Sequence, residues 1–223
     1  MDKESIDTSR FKHKKVFCNQ EFEDILAGII TCYHSIISNK IPLPSNDENH
    51  IRDIILYEYL KNKKFKDEHY PLYNYQFDLE TFEKDGRVDI RILSINPYLG
   101  DYEYYIIECK RLDNKNQDGI SGLNGKYISE GIVRIVSGIY PTYKKTAGMI
   151  GFIVAKINID QNIKSINRLL KILSNTNVQQ ELKKKEISLV FDFSYCSSHI
   201  IKNEAQYIYH LMFDFSNNII ECS

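Results

Sequence analysis

Two apolar segments, Arg87 to Ile95 and Tyr102 to Arg111, flank the turn-rich run Asn96-Pro97-Tyr98-Leu99-Gly100-Asp101. Together they read as two strands of an antiparallel hairpin. The first opens on Gly86-Arg87-Val88-Asp89 and the second closes on Ile106-Ile107-Glu108-Cys109-Lys110. Charged side chains that face into such a sheet are costly unless something binds them. The partner that suits two carboxylates held by neighbouring strands is a divalent cation.

Side chains two apart on a strand share a face, so Glu108 and Lys110 are presented together and Cys109 points the other way. If the turn is symmetric about the Tyr98–Leu99 bond, Asp89 lies directly opposite Glu108. Opposed residues have Cβ atoms about 5 Å apart, within reach of one hard cation. A bulge in the loop would shift that register by one residue and turn the faces over. The structural alternative is an ordinary cross-strand ion network in which Asp89 pairs with Arg87, Arg91 or Lys110. Against it stands the apolar run Tyr104-Tyr105-Ile106-Ile107 leading into Glu108, which marks a strand buried on both faces.

Upstream, apolar residues from Glu21 to Ile37 recur at helical spacing until Pro42 and Pro44 break the pattern. A second helix is expected from Ser45 to about Asn62, with Ile51, Ile54, Ile55 and Tyr59 inward, and the charged tract Asn62 to Glu68 reads as a surface connection. A strand over Tyr73 to Thr81 joins the hairpin to make a meander. Downstream come a polar, glycine-rich loop from Asp113 to Gly125 and a helix from Tyr127 to Ile139. The apolar strand Gly148 to Ala155, a helix from Gln161 to Leu173, and strands over Ile187 to Tyr195 and Tyr207 to Phe215 complete the chain. The order ααβββαβαββ describes an α/β sandwich around a mixed sheet.

The length, 223 residues, suits one well-buried core and forces no second domain. With 29 Lys and Arg against 30 Asp and Glu, no global field draws the chain onto nucleic acid, and any such binding must come from local patches. No apolar run is long enough to cross a bilayer, and Met1 to Lys15 lacks the apolar core of a signal peptide, so a cytoplasmic protein without a membrane partner is expected. Five scattered cysteines give neither a disulfide framework nor a zinc motif.

Asp89 and Glu108-Cys109-Lys110 at the ends of neighbouring strands, with a helix before and an αβ unit after, resemble the PD-(D/E)XK nuclease superfamily. The likeness spans about Asp47 to Ala155. Val88 stands where the family often has proline. The resemblance implies a restriction-endonuclease-like core over about 45–155 within one domain, 1–223, carrying a helical N-terminal extension and an αββ C-terminal extension. It implies that Asp89 and Glu108 bind Mg²⁺, for which Mn²⁺ substitutes, with help from the backbone carbonyl of Cys109. Lys110 would orient the attacking water or stabilise charge on the phosphate.

Members of the superfamily also place a glutamate on an early helix near the metal, and Glu48 is the candidate. Ser45-Asn46-Asp47-Glu48 is equally a capping-box pattern, in which that glutamate only holds a backbone N–H. On the next helix Tyr127, Glu130 and Arg134 form a polar stripe that would contact phosphate. Arg134 leads it, Lys126 adds to the rim, and a Glu130–Arg134 surface pair is the alternative. His199 and His210 sit in no motif and read as structural, and Phe191, Phe193, Tyr207, Phe213 and Phe215 fall at core positions. The expected activity is metal-dependent phosphodiester hydrolysis, with DNA favoured over RNA as the partner. A homodimer is natural for a double-strand cutter. The rival is a catalytically inactive nucleic-acid-binding or assembly module on the same fold.

Overall fold

The computed structural model describes residues 14–83, 86–96, 104–139 and 145–220. The first helix, α1 (Lys14–Ser38), carries Phe22, Ile25, Leu26, Ile29 and Ile30 fully inward, as the helical spacing requires. After a two-residue strand β1 (Leu43–Pro44) comes α2 (Glu48–Ile54), which widens into a π-helical turn over Ile55–Leu60. The tract expected to be a mere connection instead folds as α3 (Lys63–Glu68), because the Asn62 side chain caps it by accepting the N–H of Phe65 at 3.2 Å.

The meander follows as β2 (Tyr75–Glu83), β3 (Gly86–Ser94) and β4 (Tyr104–Leu112), antiparallel throughout. Ile90 lies opposite Ile107 and Leu93 opposite Tyr104, the register read from the sequence, although the Tyr98–Leu99 turn itself lies outside the described residues. A helical crossover, α4 (Leu123–Lys126), a π-helical turn (Tyr127–Ile132) and α5 (Val133–Val136), returns the chain to β5 (Thr146–Ile153), which runs parallel to β4. Every residue of β5 is buried, since it is flanked by parallel neighbours and covered on both faces.

The last third departs from the sequence reading. After α6 (Ile159–Ile172) the chain adds three strands to the sheet, β6 (Val178–Lys184), β7 (Ser194–Ile201) and β8 (Glu204–Asp214), where αββ was expected. Strand β6, Val-Gln-Gln-Glu-Leu-Lys-Lys, is a polar edge strand with one buried side chain, so it shows no apolar alternation to read. Ile187 to Tyr195 is apolar but mostly not a strand. Ser188 bridges to Phe191, and Leu189 and Val190 at the turn between them are 88% and 73% exposed.

The sheet has seven strands in the order β2-β3-β4-β5-β8-β7-β6, and β9 (Ile219–Ile220) pairs with β1 apart from it. One face packs on α1 and the turn Ile55–Leu60; the other packs on the α4–α5 segment and α6. The architecture is α/β, a mixed sheet flanked by helices. Among the described residues no helix is long and apolar enough to cross a membrane.

Candidate functional site

Helix α2 begins two residues later than a Ser45 cap would set. Asp47 is the N-cap, and its carboxylate accepts the N–H of His50 at 2.9 Å. Glu48 is thereby released from capping and turns toward β4. Its Oε2 accepts the N–H of Arg111 at 2.7 Å, and its Oε1 takes Lys110 Nζ at 3.2 Å. The capping-box alternative for Glu48 does not hold.

On β4, Tyr105, Ile107 and Cys109 pack in the α1-side core and Ile106 and Leu112 in the opposite one. Strand alternation therefore sends Glu108 and Lys110 to the face covered by the α4–α5 segment. Lys110 Nζ also bonds Glu108 Oε1 at 2.9 Å and the Cys109 carbonyl at 2.8 Å. All three donors of the ammonium are thus taken. Glu108 is 2% exposed, and its second oxygen, Oε2, has no hydrogen-bond partner among the described residues. Burial first and the charge of Asp89 second push its carboxyl up to about 8, against the opposing pull of Lys110 and Arg134. Burial works against the Lys110 ammonium as well. The charges of Glu108, Asp89 and Glu48 outweigh it and hold the lysine above its ordinary range.

Asp89 stands just beyond the last β3–β4 pair, Ile90 with Ile107, on the strand facing Glu108. There its side chain replaces the ladder, and Oδ2 accepts the N–H of Cys109 at 2.7 Å. Its Oδ1 meets Arg52 Nη1 at 3.0 Å. The cationic partner of Asp89 is therefore on helix α2, whereas the sequence alternative named Arg87, Arg91 or Lys110; Arg91 binds Asp78 at 2.8 Å. Arg52 was not foreseen. Its signal was available, because Glu48 and Arg52 stand four apart on one helix face beside the buried Ile51.

The crossover helix corrects one assignment. Tyr127 is fully buried, and its hydroxyl lies 2.8 Å from His210 Nδ1, so it is closed to phosphate. The π-helical turn alters the spacing on which the Tyr127–Glu130–Arg134 stripe rested. Arg134 does reach the site, with Nη1 3.9 Å from Glu108 Oε1 and a side chain 41% exposed. Lys126 and Glu130 line a cavity of about 290 Å³ together with Asn46, Glu48, Asn49 and Lys110. His199 and His210 are fully buried and bonded at both ring nitrogens, as structural histidines are.

The structure thus brings Asp89, Glu108, Lys110, Glu48, the Cys109 carbonyl, Lys126 and Arg134 to one end of β4 and leaves Tyr127 in the core. Among the described residues no three His, Cys, Asp or Glu side chains converge as a metal site. Magnesium, however, commonly takes only one or two carboxylates and keeps several waters. Glu108 Oε2, buried beside a second carboxylate and without a hydrogen-bond partner among the described residues, is a feature that fits a hard cation. No protein-family model, curated protein or solved structure matches the chain.

Proposed function

We propose that the protein is a Mg²⁺-dependent phosphodiesterase, a DNA endonuclease built on a restriction-endonuclease-like, PD-(D/E)XK core. The topology around the site supports this reading: helix α2, the antiparallel strands β2, β3 and β4, a helical crossover, and β5 parallel to β4. The observation that carries it is the buried oxygen of Glu108, without a hydrogen-bond partner among the described residues, next to Asp89 and on the same strand end as Lys110.

Asp89, Glu108 and the Cys109 carbonyl would hold the cation, with Glu48 as a further oxygen donor at the rim. When bound, magnesium supplies a water of lowered pKa and neutralises charge on the phosphate. Lys110 donates to the phosphate or to the attacking water once its ammonium is released from Glu108. Arg134 offers a forked guanidinium to a neighbouring phosphate, and Lys126 a point charge on the cavity rim. A two-fold dimer would present one site to each strand of a duplex.

A second reading, a binding module without turnover on the same fold, is favoured by one feature. Lys110 and Arg52 already neutralise both carboxylates. The test is cleavage of plasmid, linear duplex, single-stranded DNA and RNA with Mg²⁺ or Mn²⁺, with Lys110→Ala as control. Intact substrates throughout, with DNA bound and no Mg²⁺ heat by calorimetry, establish the second reading and overturn the first.

A further inference from the structure

We infer that Arg52 is a positioning residue that clamps the Asp89 carboxylate in the orientation the site requires, an inference that rests on the metal-dependent reading above. Arg52 is 2% exposed on a helix face otherwise given to Ile51 and Ile55. Burying a guanidinium there is unfavourable unless its donors are met. Asp53, the next residue, meets one edge: its Oδ1 accepts from Nε at 2.9 Å and from Nη2 at 2.8 Å. That bifurcated contact supplies a counter-charge locally.

Yet the remaining terminal nitrogen, Nη1, spans to β3 and takes Asp89 Oδ1 at 3.0 Å. The Cys109 N–H holds Asp89 Oδ2 from the opposite side at 2.7 Å. Two bonds to the two oxygens of one carboxylate fix both its position and the plane of its lone pairs. Each oxygen offers two acceptor sites, so neither bond consumes its oxygen. The arrangement is a chain, Asp53 to Arg52 to Asp89 to the Cys109 peptide, that runs from the surface to the strand end. A planar fork makes such a chain and an ammonium does not, so lysine at position 52 keeps the charge and loses the geometry. Groups that orient a ligand from behind typically alter metal affinity or activity about 10- to 100-fold.

The experiment uses the full chain labelled with ¹⁵N-cysteine, as wild type, Arg52→Lys and Asp53→Asn. Asp53 is 38% exposed at its side chain, so its variant keeps the fold even if Arg52→Lys does not. In each the Cys109 amide resonance and its hydrogen exchange are followed, with Cys32 and Cys196 as internal references, and Mg²⁺ is titrated by calorimetry and by cleavage. The clamp predicts that both variants move the Cys109 amide and speed its exchange while the reference cysteines stay put. It also predicts that the Mg²⁺ midpoint rises about tenfold or more for Arg52→Lys and less for Asp53→Asn, at melting temperatures close to wild type. An unmoved Cys109 amide in both folded variants overturns the clamp. A wild type that binds no Mg²⁺ and cuts nothing overturns the nuclease reading instead, and the Cys109 resonance still decides whether Arg52 holds Asp89.

Discussion

Lys110 Nζ lies 2.9 Å from Glu108 Oε1, while the other oxygen of the same carboxylate, equally buried, meets no hydrogen-bond donor among the described residues. A buried acceptor left unmade costs about 1–3 kcal/mol, so the fold retains here a group that packing alone would replace. Glu48, Glu108 and the Cys109 carbonyl converge on the lysine ammonium as they would on a metal ion. Lys110 thus serves as the internal counter-ion of its own site.

Glu108→Gln tests what that carboxylate costs. With its pKa raised to about 8 in the fold, Glu108 binds a proton that the unfolded chain releases near the ordinary carboxylate value, about 4.3. Stability then falls as pH rises through that window, at about 1.4 kcal/mol per unit, and levels off above pH 8. Thermal melts in chelator should show Glu108→Gln close to wild type at pH 5 and clearly more stable at pH 9. DNA cleavage by the variant should be lost at every pH. Equal melting temperatures at pH 9 would mean that the carboxylate is not held at a cost.

Lys110→Ala removes the counter-ion and leaves Glu108 beside Asp89. Breaking a buried pair from one side typically costs about 3–5 kcal/mol. With its pKa raised to about 8, Glu108 already carries its proton for the most part at pH 7 and needs less counter-charge there, so a loss of only about 1–3 kcal/mol is expected, from the hydrogen bonds left unmade. Cleavage should fall to background, while Mg²⁺, now without a competing ammonium, binds at least as tightly as to wild type by calorimetry. Weakened Mg²⁺ binding would instead make Lys110 part of the structure of the cation site.

How much of this was legible depended on period. The β3–β4 register could be read because a turn symmetric about the Tyr98–Leu99 bond sets Ile90 opposite Ile107 and Leu93 opposite Tyr104, and Glu108 and Lys110 then share a face by strand geometry alone. Glu48 was ambiguous because a cap at Ser45 and a cap at Asp47 differ by only two residues, which only the folded backbone decides. Tyr127 was misplaced because a π-helical turn breaks the 3.6-residue period that put it in line with Arg134. Strand β6 had no apolar alternation, and Arg52 acquired its partner from a strand 37 residues away.

The buried chain from Tyr127 to Thr176 makes a separate prediction, on acid stability. The Thr176 carbonyl only accepts, so His199 Nδ1 donates to it and His199 Nε2 accepts the Ser197 hydroxyl proton. Ser197 Oγ then accepts from His210 Nε2, and His210 Nδ1 accepts from the Tyr127 hydroxyl. Every member has one allowed orientation, and both imidazoles are neutral. Burial lowers the pKa of each, opposed at His199 by its bond to Thr176 and reinforced at His210 by His199. A histidine lowered in the fold lends stability that is complete above its unfolded value, about 6.5, and is lost as pH falls below it. In the Glu108→Gln background, where the opposing carboxyl is absent, melting temperature should therefore drop between pH 6.5 and 5. Ser197→Ala, which strands both Nε2 atoms, should cost about 1–3 kcal/mol at pH 8. A flat melting profile across that range would show that the imidazoles are not held neutral.

Gly125 tests how the cavity wall is built. A Cβ at this position would overlap the backbone carbonyl of Ile120, which cannot swing aside as a side-chain end can. Gly125 is also the neighbour of Lys126, the rim cation. The loop above it is closed by its own bonds: Gly119 N–H to the Asn116 carbonyl at 3.0 Å, and Asn124 Nδ2 to the Gln117 carbonyl at 2.8 Å. Gly125→Ala must therefore move that loop or the start of α4, at about 1–3 kcal/mol, the usual cost of overpacking. Because the displaced segment carries Lys126 and not the strand-end carboxylates, the Mg²⁺ midpoint should stay at its wild-type value while the KM for DNA rises. A change in the Mg²⁺ midpoint with KM unaltered would tie this wall to the cation and not to the polynucleotide.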